Sequence, residues 1–227
     1  RYLGLLWNSV SLAAVSAVIA VAAAVVVGYG LRLRPGRLMR GVHRIAGMGY
    51  AIPGSVIAVG VLIPLAAADQ GLRGLLASWF GVEVGLLLTG GILGLVFAYL
   101  VRFLAVSLQS VDAGLARITP AMDDAARALG DGPGRTLRRV HLPILRVNLL
   151  TAGLIVFVDV MKELPATLIM RPFNFDTLAV QAYNLAKDER LAQAATPSLV
   201  IVDCGLLPIL LMSRAIMRSR PGGAGSR

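Results

Sequence analysis

Charge is scarce in this sequence. Asp, Glu, Lys and Arg make up only 15% of its 227 residues, where a soluble domain carries about 25%. Hydrophobic residues reach 57% and the mean hydropathy is +0.77. Too little polar surface exists to cover a core of that size in water. Cysteine is nearly absent: Cys204 is the single one, which excludes an intramolecular disulfide and a cysteine-based metal site. It lies in an apolar run and is expected to be a small buried hydrophobe. His43 and His141 are the only histidines. They sit far apart in basic segments without ligand spacing, so both are expected at a membrane interface rather than on a metal. Aromatics are few, and no arginine-rich run interleaves with them, which argues against nucleic acid despite a net charge of +10.

Catalytic patterns are missing too. No His-Glu-x-x-His or Gly-x-Ser-x-Gly occurs. The glycine-rich run Gly130 to Thr136 lacks the lysine and the spacing of a phosphate-cradling loop. The chain is therefore expected to be no enzyme, and to bind no metal or cofactor of its own.

What is present is long apolar runs. A membrane-crossing helix needs about 20 mostly apolar residues. Five segments meet or approach that: Val10 to Leu31, Tyr50 to Ala68, Val84 to Ser107, Val147 to Met170, and Ser198 to Ser213. The last is short and is interrupted by Asp203 and Pro208. The runs are too long, and alternate too little, for barrel strands. The expected fold is all-α, a polytopic transmembrane helical bundle over 1–215, with a glycine-rich disordered tail over 216–227.

The connections carry the charge. Arg32, Arg34, Arg37, Arg40 and Arg44 follow the first run. Arg117, Arg127, Arg135, Arg138, Arg139 and Arg146 fill the long connection over 109–146, and Arg214, Arg218, Arg220 and Arg227 lie in the tail. With five spans these regions share one side, which the positive-inside rule makes cytoplasmic. The opposite side holds the loops Asp69 to Glu83 and Arg171 to Pro197. The N-terminus is then expected outside and the C-terminus in the cytoplasm.

Within the long connection, Thr119-Pro120 is a helix start, with Thr as cap and Pro at the first helical position. Asp123 and Asp124 suit the first turns, and Gly130 is free to end the helix in a left-handed conformation. A second, basic helix with Arg135, Arg138 and Arg139 is expected to follow, with Pro143 resetting the chain before the fourth span. Ala125, Ala126 and Ala128 give the first helix a small-residue surface that a partner can approach closely. From these residues alone a docking helix and a plain solvated linker are equally open.

Here the sequence resembles the permeases of ABC importers. Their signature is Glu-Ala-Ala, three residues, Gly, nine residues, Ile, one residue, Leu-Pro. This chain has Asp124-Ala125-Ala126, Gly130, Val140 and Leu142-Pro143 at those intervals, with Asp for Glu and Val for Ile. The resemblance implies a type I importer fold whose cytoplasmic coupling helix docks on a separate ATPase. ATP is then used by that partner, and an external solute-binding protein delivers the solute. It also implies a second permease half, either a second copy or a fused N-terminal half. The runs Asp159 to Thr167, Arg171 to Ala179 and Asp188 to Leu191 further resemble the C-terminal half of ferric-iron permeases, which implies iron as solute and a chain lacking its first half.

Charges inside apolar segments are costly, about 2.5–3.5 kcal/mol each at mid-membrane. Asp159, Lys162 and Glu163 can share a helix face, with Pro165 expected to kink the helix just beyond. This face is expected to line the translocation path or its gate. The alternative is an ion pair that only fixes packing. Asp203 is expected to pair with Lys162 or a partner chain, or to sit near the outer interface. Gly90 and Gly94 are expected to serve helix packing in the third span.

Overall fold

The computed structural model describes residues 2–81 and 85–218. Arg1, the loop residues 82–84 and the tail residues 219–227 lie outside the described residues. All regular elements described are helical. They are α1 (Tyr2–Leu33), α2 (Arg37–Ala46), α3 (Gly54–Phe80), α4 (Ile92–Leu115), α5 (Pro120–Ala128), α6 (Pro133–Thr136), α7 (Leu142–Met161), α8 (Pro165–Met170), α9 (Leu178–Lys187) and α10 (Leu191–Arg218). Five helices are long and apolar enough to cross a membrane: α1, α3, α4, the continuous stretch Pro133–Met161, and α10.

Helices α1, α4 and α7 pack against one another as the centre of the bundle. The α1 residues they bury are mostly small and recur every three to four positions: Ser9, Ala13, Ala17, Ala20, Ala24 and Gly28. A β-carbon on Gly28 would stand 3.1 Å from Val111. In lipid the hydrophobic effect gives little drive for helix association. Close backbone approach and dispersion contacts replace it. The other faces of α1 stay apolar (Val18 and Val26 are exposed) because they are suited to lipid.

Two core clusters stack along the bundle. The larger joins Leu12, Ile57, Leu95, Tyr99 and Val156; the smaller joins Ala24, Leu108, Val111, Leu115 and Leu145 at the arginine-rich end. Ser110 and Asn148 tie α4 to α7 through a reciprocal pair of hydrogen bonds, each side chain on the other's carbonyl, at 2.9 and 3.1 Å.

The structure moves several expected boundaries. The second span runs on to Phe80 as α3, through Pro64, so Asp69 is helical and fully buried rather than in a loop. Its carboxylate accepts from the backbone N–H groups of Leu87, Leu88 and Thr89 and from the Thr89 hydroxyl, at 2.7–3.0 Å. Those bonds hold 85–91 as an irregular segment, and the third span starts only at Ile92. Gly90 therefore lies outside the helix. Added β-carbons at Gly90 and Gly94 would meet the carbonyls of Leu86 and Leu88. Gly90 serves this fold-back, and Gly94 serves both the fold-back and the approach of α4 to Leu65 of α3.

The fourth span begins early. Pro133 to Met161 is continuous because Leu137–His141 forms a π turn. Pro143 offers no N–H and would crowd the carbonyl four residues back. The wider turn just before it accommodates that defect, so Pro143 does not reset the chain. The span also ends early. α7 stops at Met161, and Pro165 opens the separate helix α8 instead of kinking a continuous one. α10 is longer than expected, with Pro197 and Pro208 inside it, as membrane helices tolerate.

Candidate functional site

Two groups of charged residues stand out, one at the arginine-rich end and one midway along the bundle. At the first, α5 is displayed between α4 and the Pro133–Met161 stretch. Thr119 occupies the cap position, but its side chain makes no capping bond; its carbonyl accepts from Met122. At the other end, Gly130 is left-handed, at φ +82°. Asp131 N–H donates to Ala126 O and Gly130 N–H to Arg127 O, a closing pattern that needs this backbone conformation.

Asp123 carries the junction. Arg32 of α1 donates to it from Nε and Nη2, at 2.9 and 2.7 Å. His141 of the π turn bonds it at 2.6 Å. Arg32 also donates to the carbonyls of Leu115 and Ile118, where α4 ends, at 3.0 and 2.8 Å. His141 is fully buried, edge-on to Tyr29, whose hydroxyl donates to Pro133 O at 2.8 Å. His141 is thus a structural residue of the interior, not an interfacial one. One carboxylate joins α1, α5 and the entrance to α7. Burial pushes the Asp123 carboxyl upward, but hydrogen bonds from Arg32 and His141 outweigh it and hold the group below the usual carboxylate range.

The expected coupling residues divide around this knot. Ala126 is buried against the bundle. Asp124 and Ala125 are exposed, Asp124 bonding only to Arg127. Val140 and Leu142 are half-buried and Pro143 is exposed. Met122 and Leu129 are exposed as well. With Ala125 they form an i, i+3, i+7 apolar strip facing away from the bundle, which the sequence reading did not single out.

The second group lies where α7 breaks. Lys162 Nζ is 2.9 Å from Asp159 Oδ1. Glu163 turns the other way. It accepts from the N–H of Ala166, at 3.3 Å, and so caps α8. Its nearest cation is Arg102 of α4, with Nε 4.0 Å from Oε1. That is ion-pair distance and too long for a hydrogen bond. Arg102 also donates to Ile52 O at 3.2 Å and lies over the Phe103 ring. Gly54 opens α3 beside both: an added β-carbon would collide with the Glu163 carboxylate and the Arg102 guanidinium. Thr167 donates to Glu163 O at 2.7 Å and bonds the Tyr99 hydroxyl at 2.5 Å.

The expected trio is therefore split: Asp159 and Lys162 pair, while Glu163 joins Arg102. Together with Tyr50 and Pro165 they line a crevice of about 250 Å³. Asp203 is exposed on α10, and Lys162 has Asp159, not Asp203, as its partner. Among the described residues, no group of three or more His, Cys, Asp and Glu is placed to hold a metal ion.

No protein-family model matches the chain. It is 29% identical over 168 residues to a putative 2-aminoethylphosphonate transport system permease protein PhnV of Salmonella typhimurium, covering 74% of this chain and 57% of that protein. It is 22% identical over 173 residues to an Fe(3+)-transport system permease protein of Haemophilus influenzae, covering 76% of this chain and 31% of that protein. The chain thus spans less than two thirds of the length of these relatives. The fold matches a bacterial ABC transporter involved in import of the acidic polysaccharide alginate, with TM-score 0.75 at 14% identity over 97% of this chain and 80% of that one. It also matches the inward-facing MetNI methionine ABC transporter, with TM-score 0.67 at 18% identity over 96% of this chain and 95% of that one.

Proposed function

We propose that this chain, a distant homologue of ABC-importer permeases, is the membrane-spanning half of an ATP-driven importer for a small ionic solute. The observation that carries the reading is α5: the signature residues Asp124, Ala125 and Ala126 lie on a short helix displayed between two spans, closed by left-handed Gly130 and knotted to the bundle through Asp123. The arginine-rich end is cytoplasmic in this reading, since Lys and Arg collect there.

A separate ATPase subunit receives the strip of Met122, Ala125 and Leu129 in a groove and hydrolyses ATP. Its closure moves α5. Because Asp123 holds Arg32 and His141 at once, α5 drags α1 and the fourth span as one body. The two permease halves then rock around the solute, which an external binding protein delivers. The break after α7, with Asp159, Lys162, Glu163 and Pro165, lies along the path or forms its gate. Charge beside a discontinuous helix, with the two carboxylates buried, is what such a path needs. Val140, Leu142 and Pro143 seat the coupling loop on the fourth span. The relatives' names give two solutes, 2-aminoethylphosphonate and ferric iron, and both are candidates here.

The test is uptake in cells carrying the intact operon, wild type against Gly130→Asp. Asp disturbs a left-handed position on the docking loop. Uptake of either solute should fall more than tenfold with the permease still in the membrane. Uptake that survives the change would remove the ATPase coupling and leave a transporter driven by other means.

A further inference from the structure

The four charges at the break after α7 differ in what a solute can touch. Resting on the importer reading, we infer that this crevice binds a small oxyanion of the phosphate or phosphonate class, with Lys162 as the contact cation. The two carboxylates face inward: the side chains of Asp159 and Glu163 are 8% and 3% exposed. The Lys162 side chain is 62% exposed. Its ammonium has three donors, and Asp159 takes one.

Arg102, 23% exposed, and the exposed Tyr50 line the same crevice. Glu163 accepts from the first turn of α8 and has the Arg102 guanidinium at ion-pair distance. An approaching solute therefore meets donors first, with their counter-charges packed behind them.

A bare metal cation finds the reverse of what it needs. Hard cations take several oxygen ligands, and here the two carboxylates are turned in, each with a protein cation beside it. A tetrahedral oxyanion accepts charge-assisted bonds from an ammonium and a hydroxyl, and a crevice of about 250 Å³ has room for one with its waters. Asp159 then has a defined task. It holds the ammonium in place and moderates its affinity, so that the anion is bound weakly enough to leave.

The assembled transporter, this chain with its second half and its ATPase, would be reconstituted in lipid. Binding of radiolabelled methylphosphonate, inorganic phosphate and ferric iron would be measured by equilibrium dialysis. Methylphosphonate or phosphate should bind the wild type and iron should not. Lys162→Gln should weaken oxyanion binding about tenfold or more, the loss of one charged hydrogen bond, and Lys162→Arg should restore most of it. Asp159→Asn should tighten oxyanion binding, because it frees the ammonium. Equal weakening by Lys162→Gln and Asp159→Asn would reduce the pair to a packing device and overturn the inference. So would iron binding without oxyanion binding. Uptake by the same preparations separates the two ideas: uptake that survives Gly130→Asp sinks the importer reading, whereas binding reports on the crevice alone.

Discussion

The knot at Asp123 and the crevice at Lys162 contain similar residues, carboxylates facing cations, yet they are built in opposite ways. At the knot one carboxylate takes three short bonds, two from α1 and one from a π turn, and the histidine it holds is fully buried. At the crevice the charges pair by twos, the Arg102–Glu163 contact is stretched to 4.0 Å, and the helix is broken between its charged residues. A dense network gathered on one carboxylate is stiff, because releasing that group strands the others. A set of loose pairs around open space has alternatives close in energy. Stiffness suits the place that transmits movement, and looseness suits the place that must open.

The strongest way to break this contrast is at the knot. Asp123→Ala leaves the buried His141 Nε2 without its partner and Arg32 with only the Leu115 and Ile118 carbonyls, and an unsatisfied buried polar group costs about 1–3 kcal/mol. Uptake should fall beyond tenfold while the ATPase still hydrolyses ATP in the assembled complex, a separation that paired uptake and phosphate-release assays would read. Full uptake by this variant would mean that α5 moves the bundle by another route.

A smaller effect is expected from stiffening the crevice. Gly54→Val drives a side chain into the space shared by Glu163 and Arg102, and overpacking of this kind costs about 1–3 kcal/mol. The expected outcome is a several-fold drop in uptake with α5 still protected in hydrogen exchange. Loss of protection at α5 instead would show that the two regions are not independent.

The mildest probe is pH. The folded-state carboxyl of Asp123 is held below its ordinary value of 3.8, so its contribution is present above that value and lost as pH falls through the lower, folded one. Thermal stability in detergent should not change through this group between neutral pH and about pH 5, and should decline below 3.8. A decline already complete at pH 5 would assign the effect to another group.

The sequence made part of this legible and hid the rest for physical reasons. The five spans were visible because a lipid-facing helix must be apolar all round over its full length, as Val10 to Leu31 is. The short helix α5 was visible because Pro120 and Gly130 carry local backbone requirements at its two ends. Asp69 was invisible as a core residue: nothing local says that a carboxylate at the end of an apolar run will collect three amide N–H groups from residues eighteen to twenty positions away. The knot was hidden likewise, since the sequence offers many arginines near that end and only the packing of α1 on α4 selects Arg32. Arg102 could have been found. It stands alone inside the third apolar run, and an isolated charge there needs a partner of opposite sign.

The π turn at Leu137–His141 has one more consequence. A turn of this kind holds one residue more than an ordinary helical turn, and each residue advances the helix by about 100°. It therefore acts as a phase shifter between α5 and the fourth span. His141 meets Asp123 while Leu145 still meets Gly114. Straightening this turn into ordinary helix without removing a residue would clock the two halves out of register by nearly a third of a rotation. The irregularity sets the angle at which α5 meets the fourth span.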